Sequence, residues 1–415
     1  MPAIDMPSPP PLVVRDAGAE ASAPVADNGK VGALSIIARS KGASFVVHRL
    51  GEDVIVRSGR SVAKLEGDEL VPLPTFFDGI PAWDGILLAK DKAFDRVSPP
   101  AGERESWHGS RRVLAIAGTS VSDVWVVVER GNYQMWAGEV WRRSAANAPL
   151  KLVKDTGSSD RTFAAAAVAK PDVLYGIVHP YADNASANDR GPLYRFDVVG
   201  NGPRLSLGTT PKDCLAQVYP RGLLAFPTGE AMLYGRRCTH LDSTAAVARW
   251  DGRSANSTLD VLPAPGKTGA VTLDGALADD RDKVWVFGGA TPPRPKDATE
   301  DPTPKAYLAQ FDGKKWSRVE APDSVPLTHL VKAANGSLAA FTWPTAFYVR
   351  DGANGRWAKN DLDPALSHVR ASGVWLGRSD DLFVAGSYDK ENIGVVLHTK
   401  PAKKIFETDD EYTGE

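Results

Sequence analysis

A short apolar run recurs seven times along this chain, and that self-similarity constrains the fold more than any other feature. The copies are Asp53-Val-Ile-Val, Asp123-Val-Trp-Val, Asp172-Val-Leu-Tyr, Glu230-Ala-Met-Leu-Tyr-Gly, Lys283-Val-Trp-Val-Phe-Gly, Gly336-Ser-Leu-Ala and Asp381-Leu-Phe-Val-Ala-Gly. Most begin on or just after an acidic residue, and several reach an Asp-Gly pair some twenty residues later. Repeats of 20 to 50 residues signal an array of small units, and four-stranded units of this length are the mark of β-propeller blades.

The second apolar residue of each copy serves as an anchor: Ile55, Trp125, Leu174, Met232, Trp285, Leu338 and Phe383. The intervals are 70, 49, 58, 53, 53 and 45 residues. The last six anchors thus average about 52 residues apart, a long blade. After each anchor comes a second apolar run ending in a turn, as in Val247-Ala-Arg-Trp-Asp251-Gly252 and Leu308-Ala-Gln-Phe-Asp312-Gly313. Asp-Gly between β-rich runs predicts a type I′ hairpin, which needs positive φ at both central residues. A small-residue strand precedes each anchor, for example Val113 to Ala117, Phe163 to Val168 and Val271 to Leu277. That composition suits the innermost strand, where blades converge.

The expected fold is therefore all-β: a β-propeller of seven four-stranded blades, with eight possible if Thr75 to Ser110 is a degenerate blade rather than an insertion. The expected organisation is a disordered N-terminal linker over 1–31, the propeller over 32–408 and an acidic C-terminal tail over 409–415. Ring closure is open at this point, through Ala33 to Ala38 or through Lys403 to Phe406. Residues Met1 to Lys30 carry too little apolar surface to offset the entropy of ordering. They have no basic start followed by an apolar core, so they are not read as a signal peptide. They suit either the stretch left after a cleaved export or lipoprotein signal, or an ordinary disordered terminus.

The blades resemble the β-propeller repeats of secreted bacterial proteins that carry Asp-x-Trp-x-x-Gly followed by Trp-Asp-Gly-x-x-Trp, broadly akin to kelch and tectonin blades. Asp123-Val-Trp125, Trp285 to Gly288 and Trp250-Asp251-Gly252 carry the likeness. Gly288-Gly289 is the one kelch-like doublet at the end of a second strand.

A formal charge of -2 and a pI near 6.4 give no electrostatic reason to expect nucleic acid as a partner. No apolar run reaches the eighteen or so residues of a spanning helix. Long second-to-third-strand loops mark the expected binding face. In the first, His179, Tyr181, Asp183, Asp189 and Arg190 form an oxygen-rich loop whose spacing matches no calcium site. In the next, Arg236, Arg237, His240 and Asp242 present two guanidinium groups and an imidazole, suited to a carboxylate or phosphate. No nucleophile elbow, zinc-helix motif or phosphate loop appears, so neither catalytic residues, a metal nor a cofactor is assigned. Cys214 and Cys238, with their midpoint of 226 close to a turn near Pro227-Thr228, are expected to form a disulfide or remain buried thiols. A bridge would favour an oxidising compartment.

The expectation is a non-catalytic binding or protein-interaction module with a protein or glycan partner. Its expected place is the periplasm, the bacterial surface or the exterior, with the cytoplasm as the alternative. The competing functions are a carbohydrate-active hydrolase or lyase using channel carboxylates, and a lectin.

Overall fold

The computed structural model describes residues 13–16, 34–41, 44–80, 110–132, 135–155, 161–180, 193–197, 200–205, 218–237, 245–253, 257–263, 270–293, 302–332, 336–343, 346–350, 355–360, 369–376, 382–388, 393–400 and 402–408. Among these every regular element is a β-strand. Two strands come first, β1 (Val13–Asp16) and β2 (Ser35–Lys41). Unit one is β3 (Val46–Leu50), β4 (Asp53–Ser58), β5 (Ser61–Glu66) and β6 (Glu69–Pro72). Unit two is β7 (Ser110–Ser120), β8 (Asp123–Asn132), β9 (Met135–Arg143) and β10 (Lys151–Asp155). Unit three is β11 (Arg161–Lys170), β12 (Val173–Pro180), β13 (Leu193–Asp197) and β14 (Gly200–Leu205). Unit four is β15 (Val218–Ala225), β16 (Ala231–Arg237), β17 (Ala245–Trp250) and β18 (Ser257–Val261). Unit five is β19 (Ala270–Asp280), β20 (Lys283–Thr291), β21 (Lys305–Phe311) and β22 (Trp316–Arg318). Unit six is β23 (Leu327–Lys332), β24 (Leu338–Thr342), β25 (Phe347–Arg350) and β26 (Trp357–Asn360). The last unit holds β27 (Val369–Leu376), β28 (Leu382–Tyr388) and β29 (Ile393–His398), with β30 (Lys404–Thr408) behind them.

The first strands touch in sequence, β3 to β7, β11, β15, β19, β23 and β27, and β27 returns to β3. The fold is a closed all-β propeller. Hydrogen bonding makes six sheets rather than the seven separate blades expected. Units two and three account for the difference, being joined into one eight-stranded sheet by the parallel pair Arg161 and Ala137. β10 pairs β9 only from Glu139 to Arg142, so the outer edge of Ala137 stays open to the first residue of β11.

All seven anchors are buried, and all lie on second strands. Those strands have a neighbouring unit on each face, and β24 is buried at every residue. That is why they read as continuous apolar runs instead of alternating ones. The core accordingly divides into wedges between consecutive units. Trp125, Val127 and Val140 meet Leu174 between units two and three, and Phe383, Ala385 and Phe406 meet Val56 and Ala63 across the closure.

The ring closes with both termini. β2 lies antiparallel to β29, pairing Ser35 with His398, and takes the fourth place of the last unit. β30 then runs parallel to β2, and β1 pairs with β30. A buried hydrogen bond from Ser58 Oγ to Ser40 Oγ, 2.9 Å, fastens this seam to unit one. Apart from β1, residues 1–33 lie outside the described residues, as do 81–109 and 409–415. The described start of the segment after β6 is turn structure, with Phe76, Phe77 and Ile80 buried between units one and two. Arg143 clamps it by donating to the carbonyls of Thr75 and Phe76, at 3.0 and 2.6 Å.

The Asp-Gly turns differ from expectation. Gly252 and Gly313 take positive φ, but Asn147 is the sole non-glycine that does so among the described residues, so these are not type I′ turns. Instead Asp312 Oδ1 accepts the amide hydrogens of Lys314 and Lys315, both at 2.9 Å. The aspartate side chain substitutes for a backbone turn and the glycine supplies the left-handed step.

Candidate functional site

The two rims of the ring differ. On one, first and second strands meet in tight hairpins, and acids and aromatics staple units one to five each to the next. Asp53 accepts the amide hydrogen of Val121 in unit two at 2.9 Å and pairs with Lys64 at 3.0 Å. Trp125 Nε1 donates to the Pro171 carbonyl, 3.2 Å, and Tyr175 hydroxyl donates to the Gly229 carbonyl, 2.7 Å. Glu230 reaches Arg281 in unit five. Asp53 and Glu230, acids that precede two of the anchors, therefore serve the scaffold.

The other rim carries the long connections, from Pro180 to Leu193, Arg237 to Ala245 and Thr291 to Lys305. His179 stands at its edge opposite Thr162; Arg236 and Arg237 stand there opposite Tyr219 and Val218. Only the backbone of these three is described. Tyr181, Asp183, Asp189, Arg190, His240 and Asp242 lie outside the described residues, as do Cys214 and Cys238. The β15–β16 hairpin pairs Ala225 with Ala231 and Leu223 with Leu233, centring the turn on Thr228, where it was expected and two residues past the cysteines' midpoint of 226. Beyond the Arg221 bulge the ladder pairs Val218 with Arg237, so extending that register places position 217, not 214, opposite 238. Among the described residues no group of three or more His, Cys, Asp or Glu side chains gathers as a metal site.

The sequence reading missed a feature that six first strands share. Each carries a register shift at a corresponding level, in the half nearer the long-loop rim. The extra residues are Leu114, Ala164, Arg221, Asp274, Thr328 and Ser372. A bulge leaves one residue out of the ladder and re-aims its side chain. Ahead of the bulge β19 alternates cleanly: Val271 and Leu273 are buried while Ala270, Thr272 and Asp274 are exposed. On an innermost strand, that open side faces the axis. Arg221 and Ser372 are exposed too, so units four to seven turn a polar arc toward the channel mouth.

The bulged hydroxyls take up carbonyls at the break. Thr328 Oγ1 donates to the Phe341 carbonyl and Ser372 Oγ to that of Ala385, each at 3.3 Å. Ser372 also reaches the Phe45 carbonyl in unit one. Glycine follows the bulge where an aromatic covers it: a Cβ on Gly222 would lie 2.1 Å from the Tyr234 hydroxyl oxygen, and one on Gly275 2.1 Å from the Phe287 ring. His329 holds the same place in unit six, with Nδ1 3.2 Å from Thr328 Oγ1. Burial lowers its imidazole pKa, against a hydrogen bond with the Ser372 backbone. It is a satisfied structural histidine.

Arg221 and Asp274 are the charged members of the arc, on adjacent units. Among the described residues they feel each other's charge without meeting in an ion pair or hydrogen bond. Burial raises the Asp274 carboxyl above the usual range, and Arg221 opposes that rise. The residue is exposed, so the desolvation of its carboxyl is partial and access is kept. Burial likewise raises the Tyr234 phenol, with Arg221 pulling it down and Asp274 pushing it up. A strand glycine preceded by a polar residue, as in Arg221-Gly222, Asp274-Gly275 and Ser372-Gly373, was the available sequence signal, since isolated glycine in a strand marks a bulge or close approach.

No protein-family model matches the chain, and no curated protein matches it. Among solved structures it is similar to one described as YCF48 bound to D1 peptide, at 10% identity and a TM-score of 0.49, covering 91% of this chain and 99% of that one.

Proposed function

We propose that this propeller is a non-catalytic binding module that takes a protein partner on its long-loop rim. The observation that carries the reading is the contrast between the rims. One is stapled hairpin to hairpin, whereas three consecutive units, three to five, leave their second strands through long connections on the other. A rigid ring with elaborated loops on one side is a scaffold built for recognition. In this reading the eight-stranded sheet counts as two blades of a seven-unit ring. His179, Tyr181, Asp183, Asp189 and Arg190, with Arg236, Arg237, His240 and Asp242, form the contact surface, and the protein works in the bacterial envelope or exterior.

The test is a pull-down from native cell envelopes with the full chain, beside a variant in which 181–191 and 238–243 are shortened. A protein retained by the intact chain and lost from the variant supports the reading. Equal retention by both, or none by either while both remain folded, sinks it.

A further inference from the structure

We propose that the channel mouth between units four and five is a binding site for a small zwitterion of the amino-acid or short-peptide class, held with its carboxylate on Arg221 and its ammonium on Asp274. The two residues are bulge residues of adjacent first strands, at corresponding ladder positions. Both are exposed on innermost strands, and among the described residues neither spends its charge on an ion pair. A guanidinium offers a planar fork that matches a carboxylate, and an ionised carboxylate only accepts, as an ammonium requires. Tyr234 adds a hydroxyl beside Arg221, over the space that Gly222 leaves open.

The pairing of opposite charges selects the class. An anion on Arg221 alone would be repelled by Asp274, and a cation on Asp274 alone by Arg221. A ligand carrying both charges is attracted at each end, so discrimination comes from repulsion as much as attraction. The hydroxyls of Thr272 and Thr328, half-buried or exposed on β19 and β23, extend the polar wall on the Asp274 side. This site is built from strands, not from the long loops of the protein-binding rim.

The test is isothermal titration calorimetry of the full chain with glycine, glycylglycine and triglycine, whose charges are progressively further apart. Acetate and methylammonium are the single-charge controls. At least one zwitterion is expected to bind at least about tenfold more tightly than either control, the equivalent of one charge-assisted hydrogen bond. Arg221→Gln and Asp274→Asn are each expected to weaken it by a similar factor, with circular dichroism showing both folded. The double variant Arg221→Asp with Asp274→Arg recovers binding, because the ligand can turn round. The loop-shortened variant binds as the intact chain does. Acetate binding as well as the zwitterions and indifferent to Asp274→Asn would leave an anion site only and overturn the proposal; so would no zwitterion binding at millimolar concentration.

Discussion

Replacing Gly386 by alanine tests why the repeated apolar strand ends in glycine. Gly386 pairs with Ala371 immediately before the bulge of the last unit. A Cβ there would lie 2.2 Å from the Arg370 carbonyl oxygen, 2.9 Å from its carbon and 3.1 Å from Ala371 Cα. Even a close carbon–oxygen contact is about 3.3 Å, so the β27 backbone must retreat by about 1 Å. Overpacking of this kind costs about 1–3 kcal/mol, and one displaced ladder hydrogen bond adds about 1 kcal/mol. The expected loss is therefore about 2–4 kcal/mol, read as a lowered midpoint in urea unfolding followed by tryptophan fluorescence. Gly373→Ala is the internal comparison, because its Cβ would meet Val47 at 3.1 Å, a contact that a small shift relieves. It should cost less than half as much. If Gly386→Ala loses under about 0.5 kcal/mol, the ordinary range for a neutral surface change, the close carbonyl is not what demands glycine.

Three further outcomes follow from the same geometry. Asp274 has a folded pKa above its unfolded value of 3.8, so the native state binds the proton more readily and stability falls as pH rises through that window. Asp274→Asn should therefore melt higher than the parent at pH 7, with the gap closing below pH 3.8; a lower melting temperature at pH 7 would contradict this. The imidazole tip of His48, Nε2, is shut off without a partner although the residue is half-buried, and burial, then Arg57, pushes its pKa down to about 3. The unfolded chain takes up that proton first, so stability should decline as pH falls from 6.5 toward about 3, and His48→Gln should flatten the slope of urea midpoint between pH 7 and 4.5; parallel slopes would exclude His48 as its source. Trp125→Phe removes the bond to Pro171 and weakens the contact with the Arg142 guanidinium, stacked 4.7 Å from the indole ring centroid. It should cost about 1–2 kcal/mol, and a change within error would show that this staple contributes nothing.

Local pattern made the scaffold legible. A strand held between two neighbouring units must be apolar on both faces, so Val-Trp-Val around Trp125 and Leu-Phe-Val around Phe383 announce second strands without knowledge of what covers them. Acids such as Asp53 and Glu230 before the anchors, and the Asp-Gly turn, act within a few residues or on the next hairpin, so they too leave a mark in sequence. The turn type was misread because Asp-Gly serves two geometries, and the choice falls to the length of the connection, here four residues from Asp312 to Lys315.

Other features depend on what lies across space. Whether Ala33 to Ala38 or Lys403 to Phe406 closes the ring had no local answer, because β2 and β30 both do so, side by side although the paired Arg39 and Glu407 are 368 positions apart in the chain. The fusion of units two and three hangs on one parallel pair that no periodicity encodes. Arg221 and Asp274 read as ordinary surface charges 53 positions apart in the chain. They become neighbours only because the ring sets equivalent bulges side by side. The sequence by itself determined the repeat and its buried strands, since burial on both faces is written in each strand's own residues. The tertiary structure alone decided which side chains face the axis, because strand twist, bulge position and the order of units around the ring set that direction jointly.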